Sequence, residues 1–337
     1  MSGNSTSQGR GRSLVILFLM VLLFASLAFV ATTFFLLTRN ASHEQVWIGL
    51  ATDVQVASQQ LSKSAGEAAG GNLEAFAELS ATHQRMVRDM DSLRHGAAET
   101  GLPPVPADAT EPLDKLEATW ERLSANAASI TERESLLLSL ADASGAFFRI
   151  IPAIQENTDD AVRELTRISA PPEQVFAASR QLVLADRMLR RVTEILQGGS
   201  GAVSAANALK GEIRSFDQVL SALVNGNQSM GITAVRNQQA LTSLGRVRTQ
   251  FGRAQTHLQT ILNSSSDMLE VRGAADEIFL DSSDVFEKAA ILSDTVANLP
   301  QSREWPSPRT GVFGLASMIA VVSLLVASVI TSERRRA

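Results

Sequence analysis

Cysteine is absent from all 337 residues, and so is tyrosine. Without cysteine there are no disulfides, no thiolate metal sites and no thiol nucleophiles, so stability must come from packing. Histidine is scarce: His43, His83, His95 and His257 are scattered, and no two stand at metal-ligand spacing. No Gly-x-Ser-x-Gly elbow occurs, and "GGSG" at 198–201 lacks the Gly-Lys-Ser/Thr of a phosphate loop. "DSSD" (281–284) sets Asp281 and Asp284 on one helical face but has no convergent partners in sequence. The expectation is a protein that is not an enzyme and holds no cofactor and no metal.

Charge is missing from two stretches. Residues 13–37, "SLVILFLMVLLFASLAFVATTFFLL", carry none, and neither does "VFGLASMIAVVSLLVASVI" at 312–330. Each is long enough to cross ~30 Å of hydrocarbon as a helix. The first run continues past Ala31 into "FFLL", so it reads as an uncleaved anchor rather than a signal peptide. Arg10 and Arg12 precede the first run, and Arg334, Arg335 and Arg336 follow the second; Arg39 is a lone dissenter. The basic flanks place the tails 1–12 and 331–337 in the cytoplasm and residues 40–310 outside it, periplasmic in a bacterial inner membrane. Six of the 30 Lys and Arg and one of the 35 Asp and Glu lie outside residues 40–310, which leaves that region at −10. So acidic a region is a poor partner for nucleic acid. On the second run, Ala316, Ala320, Ser323 and Ala327 recur at 4-3-4 spacing, a face along which a second copy of the helix can approach closely.

Strand-like alternation is also scarce. The exported region is rich in Ala, Leu, Ser, Gln and Glu, and breakers divide it: "GEAAGGN" (66), "GLPPVPADATEP" (101), "SAPPE" (169), "GGSG" (198), "NGNQSMG" (225) and "NSSS" (263). These read as turns between antiparallel helices of an all-α, up-down bundle.

The helices repeat. Leu116, Trp120, Leu123, Ala127, Ile130, Glu134 and Leu137 follow a 4-3-4-3-4-3 seam, and 131 residues later come Val247, Phe251, Ala254, Leu258, Ile261, Ser265 and Met268. "HQRMVRDMDSLRHG" (83–96) matches "IRSFDQVLSALVNG" (213–226), and "VASQQLSKSAGEAAGG" (56–71) matches "LADRMLRRVTEILQGG" (184–199). Two homologous four-helix modules, 42–168 and 173–298, fill the exported region. Trp120 and Phe251 sit where a core seam wants an aromatic; a ligand box is the competing reading.

One stripe is unlike the rest. Arg180, Arg187 and Arg191 fall within about 40° of one another on a helix, with Arg190 on the flank. Either they pair with Asp186, Glu194, Glu173 or Asp217, or they bind an anion or a partner. Gln59, Gln60 and Lys63 occupy the matching stretch of the first module and face the same choice.

"SQQLSKSAGEAAGGNLEAF" (58–76), the "LPP" turn at 102–104 and "ADRMLRRV" (185–192) resemble the tandem N-terminal modules of type IV pilus chemoreceptors of the PilJ type. The same module is similar to the sensory domains of NarX-type nitrate-responsive kinases. The resemblance implies an extracytoplasmic sensor that works as a homodimer of helical bundles, with a pilin subunit or a small anion as partner, and twitching motility as the output. In the nitrate sensors an arginine on this helix binds the anion; Arg187 is the match here, though the surrounding helix motif is incomplete. The family's methylation helices and kinase-contacting hairpin have no counterpart after Ile330, where "TSERRRA" follows. The expectation is therefore the sensory input half of a transducer, which reaches a kinase only through further sequence or a partner's output domain. The alternative is a membrane-anchored helical scaffold of the pilus machinery that passes on no signal.

Overall fold

The computed structural model describes residues 6–199, 201–303 and 305–334, and among them nine α-helices and no strand. Residues 1–5 and 335–337 of the two expected tails and Ser200 of the "GGSG" turn lie outside the described residues, as do the side chains of Arg10, Arg12 and Arg334. The helices are α1 (Thr6–Ala69), α2 (Leu73–His95), α3 (Thr110–Glu132), α4 (Glu134–Arg167), α5 (Pro172–Gln197), α6 (Ala202–Asn225), α7 (Gln238–Asn263), α8 (Ser265–Ser302) and α9 (Pro308–Arg334).

Local chemistry explains where the helices stop. After α1, Gly71 turns left-handed (φ 83°) and the Asn72 N–H reaches back to the Glu67 carbonyl at 3.3 Å, a Schellman ending. Ser169 (φ 54°) ends α4 in the same way, and Pro172 then opens the first turn of α5, where no N–H is needed. The α2–α3 and α6–α7 connections share one geometry, 130 residues apart. Gly96 and Gly226 both have φ 80°, Ala97 bridges Leu102 as Asn227 bridges Ile232, and Val105 N–H meets Leu93 O as Val235 N–H meets Leu223 O.

"NSSS" at 263 departs from the expected turn. One residue, Ser264 (φ −90°, ψ 0°), separates α7 from α8, and Met268 N–H already bonds the Ser264 carbonyl at 2.9 Å. Arg133 (φ −100°, ψ 14°) interrupts α3 and α4 equally briefly. Serine and arginine impose no left-handed backbone, so helical bonding resumes at once.

The chain divides into two compact units. The first holds residues 1–55, 88–117 and 287–337. There Trp47 Nε1 donates to the Pro103 carbonyl at 3.0 Å, and the Arg94 guanidinium bridges Asp114 and Glu117. α9 lies against α1 at Gly314, whose missing Cβ would stand 3.2 Å from the Phe29 ring.

The second unit holds residues 56–87 and 118–286. α4 packs on α5 and α7, and α5 packs on α6. α8 instead joins α3, through Arg122–Asp281 and Arg133–Glu270 (both 2.7 Å), and α1, through Gln59 Nε2 to the Ser282 carbonyl at 3.4 Å. The last helix of each repeat thus packs with helices of the other, a consequence of the one-residue breaks before α4 and α8. The apolar members of both seams are buried, Trp120 and Phe251 included, and the polar sixth positions Glu134 and Ser265 are half-buried.

Among the described residues, three helices are long and apolar enough to cross a membrane: α1 from Leu17, α9 over Arg309–Ile330, and α4. The first two are the charge-free runs of the sequence; α4 is the addition. α4 buries Leu137, Leu140, Phe147, Ile151, Ile154 and Leu165 within its unit and exposes Asp142, Arg149 and Glu156 along one stripe. That is the pattern of a bundle helix.

A first prediction arises from the twin turns. A Cβ at Gly96 would stand 2.4 Å from the Leu102 carbonyl oxygen, whereas at Gly226 nothing lies nearer than 3.4 Å. Gly226→Ala is expected to cost about 1–3 kcal/mol for its backbone region alone, and Gly96→Ala clearly more. Thermal melts of the two variants that come out equal, or reversed, would contradict the close approach.

Candidate functional site

α5 is amphipathic by spacing. Ala178, Gln181, Leu184, Ala185, Met188, Val192 and Ile195 face inward, and the Gln181 amide donates to the Phe216 carbonyl at 3.0 Å. The arginines lie outside this inner face, so the helix carries them outward or to its flank.

The structure splits the stripe in two. Arg190 pairs with Asp186 at 2.9 Å. Arg191 pairs with Glu194 at 2.7 Å and lies 3.7 Å from Glu212 on α6. Those carboxylates, Glu194 foremost, hold the Arg191 pKa above its ordinary value. Burial pushes Glu212 up, and the charges of Arg191, Arg187 and Arg190 pull it back in part. These two arginines belong to ordinary ion pairs, most of them exposed and worth ~0–1 kcal/mol each. Of the acids named from sequence, Asp186 and Glu194 are engaged. Glu173 instead accepts from Thr233 Oγ1 at 3.1 Å, and Asp217 is exposed with no arginine within 4 Å.

Arg180 and Arg187 remain. Both are exposed, and among the described residues neither makes an ion pair within 4 Å. Between and beside them lie Phe176, 71% exposed, and Val183, 49% exposed. Phe176, Arg180, Val183 and Arg187 follow 4-3-4 spacing, so they form one line along the helix. With Ser179 and Leu184 they border a shallow recess of about 380 Å³. Exposed apolar side chains alternating with two guanidinium groups that make no ion pair within 4 Å suit a partner with an acidic group beside an apolar one. Phe176 and Val183 were missed because an isolated exposed hydrophobe carries little meaning; their signal was the shared period with the arginines.

The first module offers no counterpart. Gln59 is taken up by the Ser282 carbonyl, Lys63 lies 4.0 Å from Glu67, and Gln60 is exposed. The sequence-matched residues do not gather with those of α5. "DSSD" is structural in part, since Asp281 pairs with Arg122.

On α9, Gly314 and Val321 are buried against α1, while Ala316, Ala320, Ser323 and Ala327 are exposed. The small-residue face therefore points away from α1. Gly314, which makes the closest approach within the chain, lies outside that four-residue pattern.

A family model described as the N-terminal region of type IV pili methyl-accepting chemotaxis transducers, PilJ, matches residues 36–144 and again 169–277. The chain is 32% identical to Protein PilJ of Pseudomonas aeruginosa over 325 residues, 96% of this chain and 47% of that protein. It is 29% identical over 330 residues to AlkN of Alcanivorax borkumensis, described as methyl-accepting chemotaxis, covering 97% of this chain and 46% of that one. The chain thus spans about half the length of the curated relatives it matches. Among solved structures, the sensor domain of the V. parahaemolyticus histidine kinase sensor TorS aligns with a TM-score of 0.45 at 14% identity, over 78% of this chain and 100% of that one.

Proposed function

Because the chain belongs to the family of type IV pili methyl-accepting chemotaxis transducers, whose N-terminal module it contains twice, we propose that it is the sensory input part of a pilus-linked transducer. α1 and α9 cross the inner membrane, residues 40–310 face the periplasm, and both tails are cytoplasmic. The basic flanks of the two apolar runs support this orientation, and the charged stripe of α4 argues against a third crossing. The small-residue face of α9, turned away from α1, suits contact with the same helix of a second copy.

The input surface is the exposed line Phe176–Arg180–Val183–Arg187. The observation that carries this is the pair of arginines with no carboxylate within 4 Å among the described residues, beside exposed apolar side chains, on a helix whose Arg190 and Arg191 are held in ion pairs. Its chemistry fits a pilin subunit presenting an acidic and an apolar group, or a small anion. Occupancy needs only to favour one packing of the bundle over another for α8 and α9 to carry the change inward.

The test is motility on surfaces in the native host. Deletion of the gene is expected to abolish the pilus-dependent response. Arg187→Ala, supplied in place of the wild type, is expected to reduce the response at least several-fold while keeping membrane level and helix content. An unaffected deletion strain refutes the sensory role, and a normal Arg187→Ala strain refutes the α5 surface alone.

A further inference from the structure

We propose that the second unit contains a binding site for a short-chain carboxylate, a recess where the glycine turn after α1 meets the first turns of α4 and α8, with Arg272 as its anion-binding group.

The recess measures about 220 Å³. The end of α1 and its glycine turn form one side, the start of α4 another, and Leu196, Met268 and Arg272 close it. Its origin lies in the repeat. The 131-residue shift places Ala141 of α4 on Arg272 of α8. Each of these stands against a glycine: a Cβ at Gly71 would fall 2.5 Å from Ala141 Cβ, and one at Gly198 would fall 2.9 Å from Arg272 Cγ. Both glycines have positive φ (83° and 74°), so the backbone as well as the space requires glycine there. Each glycine turn thus meets the last helix of its own repeat, one residue out of register between the two, at alanine in the first repeat and at arginine in the second. The short side chain leaves room, and the long one brings a charge to it.

That charge lacks a counterpart. Arg272 Nε is buried with no hydrogen-bond partner, and among the described residues the guanidinium makes no ion pair within 4 Å. A buried donor left unmade is costly, so an incoming acceptor is favoured. Arg133 and Arg191 of the same unit are held by carboxylates, and Arg180 and Arg187, which are not, are exposed to solvent. Ser144 Oγ, also on the wall, already donates to the Ala141 carbonyl at 2.9 Å and can only accept. The site therefore offers a single forked donor, which matches the two oxygens of one carboxylate.

The remaining walls decide the rest of the ligand. Leu137, Leu140, Phe148, Leu196 and Met268 are apolar. A bare inorganic ion would give up its water to surfaces that return nothing, whereas an alkyl chain gains by leaving water. The volume exceeds the ~150 Å³ of an apolar cavity that takes up benzene. A carboxylate with a chain of a few carbons fits both the size and the chemistry. This site is separate from the α5 line, and it stands whether or not the chain signals.

The test uses the full chain in detergent micelles with butyrate as probe, read by calorimetric titration and by the shift of the helix melting curve. Butyrate is expected to bind saturably and raise Tm. Butyramide, which has the same body without the charge, is expected to do neither. Arg272→Met is expected to weaken butyrate about tenfold or more with helix content unchanged. Arg272→Lys, which keeps the charge but loses the fork, is expected to fall between, and it guards against a folding defect in the first variant. Arg187→Ala is expected to bind butyrate normally. The proposal is overturned by the absence of saturable butyrate binding, by equal binding of butyramide, or by undiminished affinity in both Arg272 variants. Nitrate binding as tightly as butyrate at equal ionic strength would overturn it too, by showing a general oxyanion site.

Discussion

Phe251→Ala is expected to destabilise the protein by about 3–5 kcal/mol, the range for deleting a large aromatic from a packed core. The Phe251 ring is 1% exposed and lies 4.2 Å, centroid to centroid, from that of Phe216, with 30° between the planes. This tilted ring pair joins α6 to α7, so alanine forfeits ring-on-ring attraction as well as burial. Phe251→Leu keeps most of the volume and is expected to cost roughly half as much. Urea unfolding of the full chain in micelles, followed by the helix signal, measures both. A loss below ~1 kcal/mol for the alanine variant, accompanied by lost ligand response, would instead revive the ligand-box reading of the aromatic seam.

That seam shows why part of the fold was legible. A core position repeats its demand in every turn, so the 4-3-4-3 pattern registered both the helices and the duplication. The apolar residues it selected, from Leu116 to Met268, are buried. The connections were legible where glycine or proline forces the backbone, as at Gly71, Gly96 and Pro172. They were misread at Ser264, where polar residues suggested a reversing turn and the backbone requires none. From that one residue follows the pairing of α8 with α1 and α3, which no local pattern encodes.

The candidate site was legible only in outline. Helical spacing located the arginines, but the partners that neutralise Arg190 and Arg191 were separable from the unengaged pair only in three dimensions. Glu212, on the neighbouring helix, carries no mark in sequence of its contact with Arg191. Arg272 escaped for a similar reason: one arginine near a turn is unremarked until the recess around it is seen.

Arg303→Met is expected to cost about 2–3 kcal/mol and to blunt any signal passing from α8 to α9. Arg303 follows the last turn of α8, where a cation is favoured by the helix dipole, and its Nη2 meets Glu44 Oε1 on α1 at 2.8 Å. The Glu44 side chain is 8% exposed, so without Arg303 its carboxylate is left buried and unpaired. Four residues later the other end of the link is fixed as well. Ser307 caps α9, with Thr310 N–H to Ser307 Oγ at 3.2 Å and Ser307 N–H to Thr310 Oγ1 at 3.0 Å. The short link is thus pinned to α1 at one end and to α9 at the other, which couples displacement of α8 to both of these helices. Glu44→Gln keeps an acceptor for the guanidinium and is expected to cost less than Arg303→Met. The double variant carries no buried charge and is expected to be more stable than Arg303→Met alone, the opposite of what additive losses give. Melting curves of the three variants decide it: a double variant less stable than either single one means that Glu44 is solvated, and that the pair does not clamp α8 to α1.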